Sequence, residues 1–393
     1  MMRIVIVTEC YSIGMGHTEN SLPKALARLG HEVHLISSNL NIYGNLPTYK
    51  DIYERHLGAS EQPVGSFQID GFTVHRLPHL LIGGYIFIEG LTKKIESLAP
   101  EILQFTSAVS LNLCMLALLQ KKFTYRIFSE CHQHMSIVRP FLKQEHGHYM
   151  RKSLYYLTRT LPGRYANRVV QKCYAIAPDC MDVAHRYYGV PENKLELLPL
   201  GTDTDLFQPL NNEERRKAYR KEFGFTDDDV VCVYTGRFSH DKNPYLIAQA
   251  ASLLHDERRT FKVLFVGDGP QKPSIEAVKG TTVLPFVKHA DLPKYYQLAD
   301  IGIWPTQESM SMLDALSCGL PIIVSDRIGE IDRVDNTGLT YKEGDVQDLA
   351  RSMKKLMDHS YRKELGLRGR EKMVSKYSWI GNAKKRIQDY NSI

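Results

Sequence analysis

Ile301-Gly302-Ile303-Trp304 is a short apolar run, and Pro305-Thr306-Gln307-Glu308-Ser309 breaks it. Met310-Ser311-Met312-Leu313-Asp314-Ala315-Leu316-Ser317 then takes up helical spacing, and Cys318-Gly319-Leu320-Pro321 stops it before the β-branched Ile322-Ile323-Val324-Ser325. Strand, loop, helix, strand is the repeating unit of a parallel sheet. The loop leaving the carboxyl end of such a strand, with the helix N-terminus it feeds, is where phosphorylated ligands bind, because unpaired N–H groups face the anion there. Glu308 lies in that loop and Asp314 within the helix. A carboxylate only accepts hydrogen bonds and can bridge two O–H donors, so the segment suits a polyhydroxylated anionic ligand.

Working outward, the same alternation fills the chain. Expected strands are 3–8, 32–37, 73–77, 102–105, 125–129, 173–176 and 195–198, with helical patterns such as 20–29 and 111–119 among them. A second series starts afresh at 230–234 and continues through 263–266, 282–286, 301–304 and 322–325. The fold class is therefore α/β, with two doubly wound parallel sheets. Turn formers crowd residues 199–209, so that stretch is expected to be the linker between domains at 1–199 and 210–375.

Composition fits two ordinary globular domains, with 393 residues, 43% hydrophobic and 24% charged. The longest apolar run, 108–119, is interrupted by Ser110 and Asn112 and is too short for a membrane span. The start, Met1-Met2-Arg3-Ile4-Val5, runs into a strand without a signal-peptide pattern, so a cytoplasmic location is expected. Seven scattered cysteines with no C-x-x-C pair suggest neither a disulfide framework nor a zinc knuckle.

Gly14 and Gly16 free the backbone after the first strand to approach a ligand closely, or only make a tight turn. Asn20 and its neighbours stand where the third glycine of a dinucleotide fingerprint would fall, which argues against hydride chemistry. Arg237 and Lys242 follow a strand end and can converge on a diphosphate, or form a solvated group with Asp241. Glu130-Cys131-His132-Gln133-His134 carries two histidines without a visible third metal ligand, so no metal is expected.

In its order of motifs the chain resembles the retaining GT-B glycosyltransferases (group 1, family 4-like). The motifs are Ile13-Gly14-Met15-Gly16-His17, Gly30-His31-Glu32-Val33, Gly201-Thr202-Asp203 with Phe207, and Gly236-Arg237 with Lys242. Gly267-Asp268-Gly269-Pro270, Ala299-Asp300 and the Glu308–Asp314 segment complete the set. The resemblance implies two Rossmann-like domains facing a central cleft, with residues 376–393 crossing back onto the first. It implies transfer of a sugar from a nucleotide diphosphate donor to a hydroxyl acceptor, with a glycolipid or cell-surface glycan precursor as expected product. A UDP-sugar is the expected donor, a GDP-sugar the second candidate, and no further cofactor is expected.

By the same resemblance Gly14, Gly16, Arg237 and Lys242 would hold the diphosphate. Glu308 and His132 would meet the donor sugar, while Ser309, Ser311 and Asp314 would lie at the ribose and the helix N-terminus. His134 is expected to be structural, and Asp203 of Asp203-Thr204-Asp205 a hinge residue rather than part of a metal-binding D-x-D. Relatives place seven residues between the two acids, whereas here Glu308 and Asp314 have five between them and the second acid is shortened. That departure leaves room for a sugar-nucleotide 2-epimerase of the same fold or a non-catalytic sugar-nucleotide-binding partner. Ser311-Met312-Leu313-Asp314 also fits a capping box, which alone would account for Asp314.

Residues 139–172 carry eight Lys or Arg against the single acid Glu145, with tyrosines interleaved, in a chain of net charge +6. Such a stretch suits an anionic membrane surface, which would make the protein peripheral on the inner face of the membrane. A solvated face is the bland alternative. No nucleic-acid motif accompanies the charge, so nucleic acid is not an expected partner.

Overall fold

Both series of apolar runs become parallel strands, and the strands that read as unbroken Val/Ile runs are those covered on both faces, as parallel strands between helix layers must be. The computed structural model describes every residue except 48, 83–84, 120–124, 143–148, 255–260, 307, 330 and 393. Two units emerge: Met1–Ile13, His17–Leu200 and Asn382–Ile393 form one, and Gly14–Gly16 with Gly201–Gly381 the other.

The first unit contains β1 (Arg3–Val7), β2 (Glu32–Ser38), β3 (Gly65–Ile69), β4 (Phe72–Leu77), β5 (His79–Ile82), β6 (Tyr85–Ile88), β7 (Ile102–Phe105), β8 (Arg126–Cys131), β9 (Val170–Ala175) and β10 (Leu195–Leu197). Eight of them form one sheet in the order β10-β9-β8-β7-β1-β2-β4-β3, while β5 and β6 pair as a separate hairpin. All neighbours in the large sheet are parallel except β3, which runs antiparallel to β4 at the edge. β3, β5 and β6 were not among the expected strands. β3 and β5 are short and largely exposed, so neither carries the buried apolar run that marks a central strand.

The last helix, Trp379–Ser392, enters this unit from Asn382 onward and is held by a charged seam. Lys172 of β9 donates to Glu196 at 2.6 Å and to Asp389 at 2.7 Å, and Lys385 bonds Glu196 at 2.7 Å. Tyr390 donates to Gln104 at 2.9 Å. Lys172 is thereby removed from the basic surface in which the sequence reading placed it. Lys143 of that stretch lies outside the described residues.

The second unit holds β11 (Val230–Thr235), β12 (Phe261–Val266), β13 (Thr281–Leu284), β14 (Ile301–Trp304), β15 (Ile322–Ser325) and β16 (Gly338–Tyr341). Their order is β13-β12-β11-β14-β15-β16, all parallel. Relative to its first strand this is the 3-2-1-4-5-6 order of a doubly wound sheet, which reverses direction between β11 and β14. Residues 201–209, expected as linker, instead pack with this unit: Phe207 is fully buried and Thr202 donates its N–H to Tyr377. An aromatic side chain that finds a core does not remain in a free connector.

Candidate functional site

In an open parallel sheet the ligand crevice lies outside the carboxyl ends of the strands, where the winding reverses. In the second unit that point is flanked by the loop after β11, which starts at Gly236-Arg237, and the loop after β14, which starts at Pro305. Trp304 Nε1 donates to the Thr235 carbonyl at 3.2 Å and to Ser311 Oγ at 3.0 Å. Thr306 Oγ1 donates to the Asp241 carbonyl at 2.6 Å, and Lys242 Nζ to the Glu308 carbonyl at 3.1 Å. These contacts bring Arg237, Lys242, Glu308, Ser309 and Ser311 to one strand-end locus.

Close backbone approach builds the floor. A Cβ on Gly267 would stand 1.9 Å from the Gly236 carbonyl oxygen, and both glycines take φ near +150°, a region L side chains rarely adopt. The loops after β11 and β12 can meet only because both positions are glycine.

The helix Met310–Ser317 begins at Ser309, whose N–H meets Met312 Sδ at 3.3 Å and whose hydroxyl pairs with Ser311 Oγ at 2.7 Å. Gly319, at φ +77°, ends it, with Leu320 N–H returning to the Ala315 carbonyl at 3.1 Å. Ser309 therefore occupies the N-cap, which corrects the capping-box reading of Ser311 through Asp314.

Asp314 is buried at 3% exposure, accepts from Thr202 Oγ1 at 2.6 Å through one oxygen, and pairs with His289 Nε2 at 3.0 Å through the other. In this arrangement the carboxylate braces two protein side chains. His289 is the residue that sequence reading missed: its ring tilts against Phe207 at 4.8 Å, and its backbone N–H donates to the Gly14 carbonyl at 3.1 Å. Gly14 and Gly16 group with this unit, and a Cβ on Gly16 would fall 2.3 Å from His289 Nε2. The glycine loop is thus shaped by a close histidine as well as by a turn.

The two cations differ. Lys242 is half-buried, and burial followed by repulsion from Arg237 pushes its ammonium below the usual lysine range. An added anion would offset that repulsion and favour the charged form. Arg237 is 53% exposed and only loosely paired to Asp241 at 3.9 Å. Glu308 has its carboxylate beside Gly329, whose Cβ position is 3.3 Å from Oε1. Ala299-Asp300 is scaffold: Asp300 takes Arg216 at 2.9 Å, Arg220 at 2.6 Å and the Val231 N–H at 2.8 Å. Asp203 accepts from the N–H groups of Asp205 at 3.3 Å and Leu206 at 3.2 Å, forming a local turn.

In the first unit, His132 Nε2 meets Glu130 Oε2 at 2.6 Å, and Arg386 Nη1 meets Glu130 Oε1 at 2.9 Å. Burial alone would raise the Glu130 carboxyl, but Arg386 and His132 outweigh it and hold the group below the ordinary range. Glu130 therefore accepts, and the His132 proton sits on Nε2. His134 pairs with Asp179 at 3.1 Å, and the same carboxylate accepts the Met135 N–H at 3.0 Å. Ligand-type atoms of His134, Asp179 and Cys180 lie within 4.8 Å of one another, though the hydrogen bonds account for the pairing of the first two.

Glu9, in the loop after β1, was also missed. Burial raises its carboxyl, partly offset by a hydrogen bond from Ser110 in the loop after β7. β1 and β7 flank the reversal point of this sheet, so Glu9 stands where an open α/β sheet places ligand groups.

Family models match both halves of the chain: Glycosyltransferase Family 4 over residues 14–206 and Glycosyl transferases group 1 over residues 229–359. Alpha-monoglucosyldiacylglycerol synthase of Acholeplasma laidlawii is 23% identical over 345 residues, covering 82% of this chain and 80% of that protein. Sulfoquinovosyl transferase of Arabidopsis thaliana is 27% identical over 216 residues, 51% of this chain and 40% of that one. Among solved structures, Anabaena HepE in complex with UDP-glucose aligns with a TM-score of 0.66 at 15% identity, covering 100% of both chains. At that identity the likeness speaks for the fold alone.

Proposed function

The chain belongs to the group 1 and family 4 glycosyltransferases of GT-B fold, and on that premise we propose that it is a retaining hexosyltransferase using a nucleotide diphosphate sugar, UDP-linked before GDP-linked. Its acceptor is a hydroxyl on a glycolipid or cell-surface glycan precursor, met on the cytoplasmic side of a membrane. The observation carrying this reading is the gathering of Arg237, Lys242, Glu308 and the helix N-terminus at Ser309 around the reversal point of the second sheet. Cations and helix N–H groups suit a diphosphate, and Glu308 suits sugar hydroxyls. The lipid named in the Acholeplasma enzyme supports the acceptor class.

In the proposed reaction the bond from the anomeric carbon to the β-phosphate oxygen breaks, and the acceptor oxygen bonds to the same face. The acceptor proton passes to the departing phosphate oxygen. Negative charge grows on that leaving group, where Lys242 and Arg237 act electrostatically. His132, its Nε2 proton held by Glu130, is assigned to the donor sugar, and Gly14 and Gly16 to the phosphate side.

Thermal-shift titration with UDP, GDP and their glucose conjugates tests donor binding, since a ligand of the native state raises the melting temperature by mass action. Transfer to a diacylglycerol acceptor, with the product anomer read by NMR, tests the chemistry. An inverted anomer overturns retention. Sugar isomerisation without acceptor would make the chain an epimerase, and indifference to every nucleotide would remove the donor reading.

A further inference from the structure

In the first unit the hairpin β5–β6 is pinned to a helical run made of Tyr149–Tyr155, the π-turn Tyr156–Thr160 and Leu161–Ala166. Tyr85 OH donates to the Thr158 carbonyl at 2.8 Å, and the Arg159 guanidinium stands 4.0 Å from the Tyr85 ring centre. A π-turn is rare and recurs at functional positions.

The surface carried by this joint is apolar where water should meet polar groups. Leu80, Leu81 and Ile82 of β5 and Leu154, Leu157 and Leu161 of the helical run are each 42–60% exposed. Successive residues of a strand point to opposite faces, so three consecutive exposed apolar residues leave both faces of β5 bare. Single exposed leucines are ordinary, but six on two joined elements mark an interaction site, and a bare apolar edge strand is a hazard unless something covers it. Lys152, Arg164 and Arg168 are exposed alongside, and no Asp or Glu occurs between Tyr149 and Pro178.

We propose that the hairpin and the helical run together form a membrane-docking surface. Their leucines enter the boundary between headgroups and acyl chains of an anionic leaflet, while Lys152, Arg164 and Arg168 meet lipid phosphates. Charge selects this occupant. A second copy in a two-fold contact would set the same cations of the helical run against each other, with no Asp or Glu of residues 149–178 to offset them, whereas an anionic leaflet supplies both the apolar layer and the countercharge. The surface deepens the reading of a lipid-linked acceptor and rests on it for its purpose, but the binding event itself needs no donor.

The test is co-sedimentation of the full chain with phosphatidylcholine vesicles, with and without phosphatidylglycerol, at low and high salt. Changing Lys152, Arg164 and Arg168 to Gln should weaken binding to anionic vesicles about 100-fold at low salt, at about a factor of five per cation. Leu81→Asp with Leu157→Asp should weaken binding about tenfold or more at both salt levels, because burial of apolar area is not screened. Melting curves confirm that each variant is folded. Two results overturn the proposal: a folded double-Asp variant that binds like wild type, or concentration-dependent self-association that these substitutions abolish, which would assign the face to a second copy. Nucleotide-sugar titration in solution runs beside it. Loss of nucleotide binding with vesicle binding intact would defeat the donor reading and leave the surface standing.

Discussion

Glu130 and Arg386 are 256 residues apart in sequence and 2.9 Å apart in the first unit, both with side chains at most 2% exposed. The final helix carries a guanidinium into a core where the only other basic side chain paired with Glu130 among the described residues is His132. The pair couples the chain's end to a candidate site residue, since the carboxylate neutralised by Arg386 is the one that fixes the His132 proton.

Breaking such a pair strands a buried charge. Arg386→Met should destabilise the first unit by about 3–5 kcal/mol, and adding Glu130→Gln should recover part of the loss. Calorimetric unfolding checks both, and an unchanged transition in Arg386→Met would show that the pair is not stabilising. The pH dependence follows from the depressed Glu130 carboxyl. Its contribution is fully present above the ordinary value of 4.5 and is lost as pH falls through the lower native value, so Glu130→Gln should flatten the acid limb of stability below that point.

Asp314 should matter to the empty protein. Its hydrogen bonds to Thr202 and His289 each involve a charged acceptor in a buried setting, worth about 1.5–3 kcal/mol apiece. Asp314→Ala should therefore lower the ligand-free melting temperature, with Asp314→Asn intermediate because the amide retains one acceptor. Unchanged ligand-free melting together with lost donor affinity would assign Asp314 to the ribose and remove the bracing role.

These partners explain what the sequence could and could not tell. Parallel strands buried on both faces announce themselves as Val/Ile runs, so β1, β11 and β15 are visible as residues alone. The strand ends then mark where Arg237, Lys242 and Glu308 must lie. The bracing by Asp314 was not legible because its partners lie 112 and 25 residues away, and no local spacing encodes them. Lys172 was misread because a count of charge does not see that β9 turns its side chain toward Glu196 and Asp389. Glu9 left no signal except its place directly after a buried strand. His289 left less, since a lone histidine opening a short helical turn has no pattern to stand against.

Lys242 and Arg237 should contribute unequally to diphosphate binding, although both follow β11. Arg237 is 53% exposed and loosely paired, so solvent screens it, and an exposed ion pair is worth about 0–1 kcal/mol. Lys242 is half-buried with its ammonium already disfavoured by burial and by Arg237, so an arriving phosphate has more to relieve there. Removing one partner of a desolvated charge pair costs about 2–5 kcal/mol. Lys242→Met should accordingly weaken UDP binding by about that amount, and Arg237→Ala by about 1 kcal/mol unless the ligand itself desolvates the guanidinium. Calorimetric titration of UDP into each folded variant ranks the two. If Arg237→Ala costs as much as Lys242→Met, the ligand buries both cations, and if neither changes the affinity, the diphosphate is held elsewhere.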